Sequence, residues 1–175
     1  FNGDGFADFL LGNQWGTDTF TNEGEARLFF GTALGIETSP HILVNPLPAY
    51  NVRFGKSVAT VGDFNYDGSD DIFVGCPYEG FGAVYFGSTT QMADHTPLIL
   101  ENTGYFGWAA AQVGDCIGNG ENYFIVGEEY QGAYLYAYAN ARPIAVANTD
   151  LQASSENLIQ LSGTSSSDQD GDLLT

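Results

Sequence analysis

A short acidic loop that comes round again along the chain is the strongest constraint on its fold. Residues 63–75 read Asp-Phe-Asn-Tyr-Asp-Gly-Ser-Asp-Asp-Ile-Phe-Val-Gly, which puts oxygen-bearing side chains at loop positions 1, 3, 5 and 9 and glycine at 6. A hard cation such as Ca²⁺ takes about six to eight oxygens, and a short loop supplies them from alternate residues and a backbone carbonyl. The candidate ligands are the side chains of Asp63, Asn65, Asp67 and Asp71 and the carbonyl of Ser69, with Gly68 allowing the bend. At the N-terminus Asn2, Asp4, Gly5 and Asp8 match Asn65, Asp67, Gly68 and Asp71. The second candidate set is therefore Asn2, Asp4, the carbonyl of Phe6, and Asp8. Residues 114–120 align with Gly62–Gly68 a third time, and Phe124-Ile125-Val126-Gly127 closes that loop as Phe73-Val74-Gly75 closes the second. The offsets, 63 residues from Asn2 to Asn65 and 52 from Asn65 to Ile117, are those of tandem supersecondary units.

Each repeat reads as short β-branched and aromatic runs between glycine-rich turns, with no helical periodicity. The fullest copy has strands at 57–61, 71–74, 83–86 and 97–101; the third has them at 109–113, 123–126 and 133–137. The first copy lacks its opening strand and has 8–11, 26–30 and 41–44. Strands that enter and leave one tight loop are antiparallel neighbours, so each acidic loop joins a hairpin. Four-stranded antiparallel units in tandem predict a β-propeller.

Phe54-Gly55 precedes Asp63 by the same interval as Phe106-Gly107 precedes Asp115, and Gly75-Cys76-Pro77 follows the loop. Residues 1–140 resemble in this the FG-GAP repeats of integrin α-subunit propellers and their bacterial relatives. The resemblance implies calcium on one face of a seven-bladed ring and partner binding on the other. It also implies that the chain is part of something longer, since about three blades do not close such a ring. After Tyr138 aromatics disappear and Ser, Asn and Asp take over. Residues 141–175, with runs at 143–147 and 158–161 and an Asp168-Gln169-Asp170-Gly171-Asp172 stretch, are similar to the first third of a PKD-like or cadherin-like immunoglobulin-type sandwich. A Ser/Asp linker is the competing reading. The expected fold is thus all-β: a partial propeller of about three four-stranded blades, then the first strands of a β-sandwich.

Several chemistries are excluded or disfavoured. With 22 acidic and 4 basic residues the formal charge is −18, which repels nucleic acid and anionic lipid. No apolar run is long enough to insert in a membrane. An EF-hand needs Glu at loop position 12 and flanking helices, whereas Val74 and Leu11 stand there inside strand-like runs. Carboxylates that recur with the repeat behave as a structural element, not as a split-pKa catalytic pair. His41 and His95 stand beside no nucleophile, so no enzyme activity is expected. The third loop, with Ile117, Asn119 and Tyr123 at positions 3, 5 and 9, is expected to hold no cation. Cys76 and Cys116 read as two buried free thiols, a disulfide being the alternative.

By topology, the loops 13–24, 76–82 and 128–132 and the connections 45–54 and 102–107 lie at the end opposite the acidic hairpins. They hold Trp15, Phe20, Tyr50, Tyr78, Phe81, Tyr105 and Tyr130. Aromatics on loops either recognise protein or carbohydrate or plug gaps between blades. The function expected from the sequence is a calcium-binding, non-catalytic segment of an extracellular or cell-surface protein that mediates adhesion. An accessory propeller of a polysaccharide hydrolase or lyase, and a plain spacer, are the alternatives.

Overall fold

The longer strands grow out of the apolar runs, with glycine and asparagine in the acidic turns between them. The structure, a computed structural model, describes residues 1–88, 96–102, 104–130 and 132–138. The sandwich strands expected in 141–175, with Asp168, Asp170 and Asp172, and also His95, lie outside the described residues. In the first repeat β1 (Phe9–Asn13), β2 (Glu25–Phe29) and β5 (His41–Val44) pair in the order β1-β2-β5. Between β2 and β5 lies a small hairpin that the sequence did not announce, β3 (Gly31–Thr32) with β4 (Gly35–Ile36). The second repeat is a complete four-stranded blade, β6 (Ser57–Gly62), β7 (Asp71–Cys76), β8 (Phe81–Tyr85) and β9 (Leu98–Glu101), paired in chain order. A one-turn 3₁₀ segment, Pro77–Glu79, joins β7 to β8. The third repeat gives β10 (Phe106–Gly114), β11 (Tyr123–Glu128) and β12 (Gly132–Ala137). All pairings within these sheets are antiparallel. Residues 1–138 form one compact unit, and its architecture is all-β and that of part of a β-propeller.

The blades stack face to face, and the burial pattern follows. In β7 all six residues are buried, because this strand is covered on both sides. Ile72, Val74 and Cys76 pack toward the first blade with Leu28, Leu43 and Phe54, while Phe73 packs toward the third with Phe106, Phe124 and Val126. Burial of each such side chain contributes about 1.5–3 kcal/mol. The two thiols part company here. Both are free, Cys76 buried with its Sγ–H on the Val52 carbonyl at 3.1 Å and Cys116 exposed. The expectation of two buried thiols fails for Cys116 for a physical reason. Phe64, its counterpart, is enclosed by Phe124 and Tyr138 of the next blade, and among the described residues no blade lies beyond Cys116.

Glycines set the distance between blades. A Cβ on Gly12 would run into the carbonyl of Gly55, and one on Gly75 into the carbonyl of Gly107. Ser57 Oγ–H donates to that same Gly107 oxygen at 2.7 Å. Each Phe-Gly therefore sits with its phenyl ring in the core and its glycine carbonyl on a bare Cα of the preceding blade. Gly75→Ala must push the second and third blades apart, and a loss of at least about 2 kcal/mol is expected in urea unfolding. An unchanged midpoint would show that this close approach is not what holds the blades in register.

Candidate metal centre

The three acidic loops trace the same backbone path. Position 4 is left-handed in each (Gly3 φ 70°, Tyr66 φ 64°, Gly118 φ 75°), and so is position 6 (Gly5 85°, Gly68 92°, Gly120 81°). A tyrosine in this region is strained by about 1 kcal/mol. Tyr66 is held there by its hydroxyl, which accepts the Asn122 N–H at 2.7 Å, while the Asn122 side-chain amide donates to the Asp63 carbonyl at 2.8 Å. The third blade thus latches the acidic loop of the second.

Within the second loop the carboxylates are tied down by the loop's own N–H groups. Gly68 N–H donates to Asp63 Oδ2 (3.0 Å), Ser69 N–H to Asp67 Oδ1 (2.9 Å) and the Asn65 amide to Asp67 Oδ2 (2.9 Å). The first loop repeats this, with Phe6 N–H on Asp4 Oδ1 (2.9 Å) and the Asn2 amide on Asp4 Oδ2 (2.9 Å). One oxygen stands apart: Asp63 Oδ1 is buried and has no hydrogen-bond partner. Ser69 is buried as well.

Asp71 and Asp8 occupy a different position from the other loop acids. Asp71 is fully buried; its Oδ2 accepts the N–H groups of Phe64 (2.9 Å) and Asn65 (3.2 Å), and its Oδ1 accepts that of Gly87 (2.7 Å). Asp8 does the same with the main-chain nitrogen of Phe1 and with Gly31 N–H at 2.9 Å. These aspartates pin the loop to the end of the third strand, leaving a lone pair on each oxygen of Asp8 and one on Asp71 Oδ1. Among the described residues no three His, Cys, Asp or Glu side chains gather as metal ligands would. Asp63, Asp67 and Asp71, the three carboxylates of the second expected set, are all described and do not form such a group. The buried, unpartnered Asp63 oxygen is the feature of this loop that fits a cation.

Sequence reasoning missed the glycine partners of these aspartates. The signal was present: Phe30-Gly31 and Phe86-Gly87 recur, and where Tyr123 replaces the aspartate, Tyr138-Ala139 replaces the pair. It was hidden by loops of unequal length between them. In the third loop Asp115 still accepts the N–H groups of Asn119 (3.0 Å) and Gly120 (2.8 Å). A second carboxylate overlooked there, Glu121, bonds to the Asn119 amide and the Tyr123 hydroxyl.

At the opposite end of the sheets the aromatic loops meet one another. Arg53 lies over Trp15 (4.2 Å) and Tyr78 (4.4 Å), with its guanidinium donating to the Tyr78 hydroxyl at 2.8 Å. Tyr105 packs edge-on against both Tyr78 and Tyr130, and Phe20 against Tyr50. Phe81 is the exception, buried in the core beside Phe54. Trp15, Tyr50 and Tyr130 remain more than half exposed. A groove of about 770 Å³ lined by Trp15, Glu25, Arg27 and Val44 opens on the first blade, away from the acidic loops.

No family model matches the chain. It is similar to integrin alpha-PS3 of Drosophila melanogaster, 27% identical over 170 residues that cover 90% of this chain and 15% of that protein. Integrin alpha-PS5 of the same organism is 31% identical over 150 residues, 77% of this chain and 15% of that protein. Integrin alpha-6 of Gallus gallus is 44% identical over 64 residues, 33% of this chain and 6% of that protein. The chain spans 15% or less of the length of these relatives. The likeness supports integrin-α-like repeats on a propeller fold.

Burial is the main reason that the Asp71 carboxyl is pushed up from 3.8 to about 6; its three N–H donors oppose the shift and Asp67 adds to it. A carboxyl raised in the folded state contributes stability that is complete below its unfolded value and lost as pH rises through about 6. Urea midpoints in chelator are expected to carry this fall between pH 4 and 7, and Asp71→Asn to flatten it. The variant should also lose roughly 1–2 kcal/mol, because its amide faces a backbone N–H. An unaltered pH slope would rule out the buried titration.

Proposed function

We propose that this chain is a calcium-binding, non-catalytic propeller segment of a secreted or cell-surface protein that works in adhesion. Its aromatic end, opposite the acidic hairpins, would take a protein or carbohydrate ligand. The metal assignment rests on one observation, the buried Asp63 oxygen without a partner in a loop already rich in carboxylates. Leaving such an oxygen bare costs about 1–3 kcal/mol or more, and a divalent cation removes the cost. In the second loop Asp63, Asn65, Asp67, Asp71 and the Ser69 carbonyl would hold it. In the first, Asn2, Asp4, Asp8 and the Phe6 carbonyl would do so. The bound ion supplies positive charge that the loop lacks. Because such a cation would bind the folded chain and not the unfolded one, binding would stabilise the fold by mass action.

The likeness to integrin alpha subunits favours a recognition role over an enzymatic one. The aromatic end suits recognition because Tyr50, Tyr130 and Trp15 are large, stiff and exposed. Arg53 and its stacked partners give them a rigid floor.

Calcium is expected to raise the melting temperature by about 5–10 °C over the value in EGTA. Asp63→Asn with Asp67→Asn should remove the second loop's share of that rise, and superimposable parent curves with and without chelator would remove the metal from the proposal. For the aromatic end, Tyr50→Ala with Tyr130→Ala should cut retention on glycan or protein arrays at least about tenfold. Retention that survives both changes in a chain of unchanged stability would place recognition elsewhere.

A further inference from the structure

The aromatic end of the molecule repeats as regularly as the acidic end. The third residue after the strand glycine is aromatic in every repeat: Trp15 after Gly12, Tyr78 after Gly75 and Tyr130 after Gly127. The residue before each Phe-Gly slots between two of these rings. At the second blade boundary it is Tyr105, its ring centre 5.8 Å from that of Tyr78 and 5.6 Å from that of Tyr130. At the first it is Arg53, its guanidinium 4.2 Å from the Trp15 ring and 4.4 Å from the Tyr78 ring. The residue after Phe-Gly differs in the same sense. It is Trp108 in the third blade and Lys56 in the second, with the Lys56 ammonium 5.1 Å from the Trp108 ring. Trp108 in turn stands 6.2 Å from both Tyr78 and Tyr105. Rings and cations thus form one continuous patch over both boundaries.

Filling the gap between blades does not need the charge, because Tyr105 fills the equivalent gap as a neutral ring. The charge is also unusual for this chain, which has four basic residues against 22 acidic ones. Arg27 is paired with Glu25, whereas among the described residues Arg53 and Lys56 have no carboxylate within ion-pair distance. One Arg53 Nη donates to the Tyr78 hydroxyl, and Nε is buried. The other Nη has no partner among the described residues and is not buried. Pressed between two rings, a guanidinium donates along its own plane, the geometry in which a carboxylate accepts. Beside it Tyr78 and Tyr105 stay 39% and 37% exposed, and a tyrosine ring offers an apolar face with a polar tip.

We propose that this patch binds a polysaccharide bearing uronic-acid carboxylates, with sugar faces on Tyr78 and Tyr105 and carboxylates on Arg53 and Lys56. Such a role rests on the aromatic end being the recognition surface, and it names the class of ligand taken there. A uronic acid presents a flat apolar ring face next to a carboxylate. An acidic peptide carries its carboxylates on flexible stems and has no such face. The formal charge of −18 opposes a polyanion as dense as nucleic acid, so the fitting polymer carries its carboxylates on alternate sugars.

The probe is a hyaluronan octasaccharide, in which glucuronate alternates with a neutral sugar, titrated calorimetrically onto the full chain at fixed calcium. Its carboxyl-reduced form is expected to bind at least about tenfold more weakly. Raising NaCl from about 50 to about 300 mM should weaken the native octasaccharide further. Arg53→Tyr imports the neutral ring that the second boundary already uses, so its melting temperature should stay within about 3 °C of the parent. Its affinity should fall at least about tenfold, and that of Lys56→Gln about threefold. Should Arg53→Tyr unfold the chain, Lys56→Gln alone decides, and parent affinity in that variant overturns the proposal. Equal affinity for the carboxyl-reduced octasaccharide also overturns it, while leaving recognition by the aromatic end standing. Equal or tighter binding of an oligoglutamate of the same charge overturns it in favour of an acidic peptide, and failure to bind any of the three probes overturns it outright. The recognition surface itself fails separately, through unaltered array retention in Tyr50→Ala with Tyr130→Ala.

Discussion

A carbonyl oxygen resting on a bare Cα governs the spacing of this molecule. At each blade boundary the glycine of a Phe-Gly pair meets a glycine of the preceding blade, Gly55 on Gly12 and Gly107 on Gly75. The absence of two side chains brings the sheets close enough for their apolar faces to interlock. Phe54 and Phe106, one residue before the contact glycines, are then carried into the two core clusters and fully buried. A single methyl at the contact would hold the sheets apart and loosen the seating of those rings, so a local backbone approach sets how tightly the cores pack.

The acidic character of the chain is handled in two ways. Some carboxylates are consumed by backbone N–H groups. Asp71 takes three such donors, and Glu23, buried in the long loop after β1, takes those of Asp18, Thr19 and Phe20. Glu23 shapes its turn without a cation, whereas Asp71 Oδ1, with one donor, keeps a lone pair. Asp63 is different, since one of its oxygens is buried without a hydrogen-bond donor from the protein. The metal proposal therefore rests on the character of particular oxygens and not on the count of acids.

The long loop after β1 also explains how the first two blades are joined at the aromatic end. Its residues Thr21–Glu23 offer carbonyls to the N–H groups of Asn51, Arg53 and Phe54 at 2.9–3.1 Å. Asn22, Asn51 and Arg53 all adopt left-handed backbone there. Arg53 is then fixed between Trp15 and Tyr78, its Nε buried without a partner. Strain and an unpaired polar atom are tolerated together where two aromatic faces hold a cation, which is favourable by about 0.5–2 kcal/mol for each face.

The linear order of residues determined the strands, the hairpin loops and the repeat, because each of these is decided by neighbours a few positions apart. Alternating apolar runs, a glycine at position 6 and Asp-x-Asn-x-Asp are local signals, and the observed strands begin and end within a few residues of them. Tertiary structure alone decided which atoms those residues present. Nothing in the order of residues distinguishes Asp71, pinned by Gly87 N–H, from Asp63, left with a free oxygen; the difference depends on a strand end sixteen residues away in chain number. Nor does it show that Cys116 is bare while Phe64 is enclosed, since burial is conferred by the next blade and not by the residue itself. Sequence settles what a segment can become; packing settles what that segment has beside it.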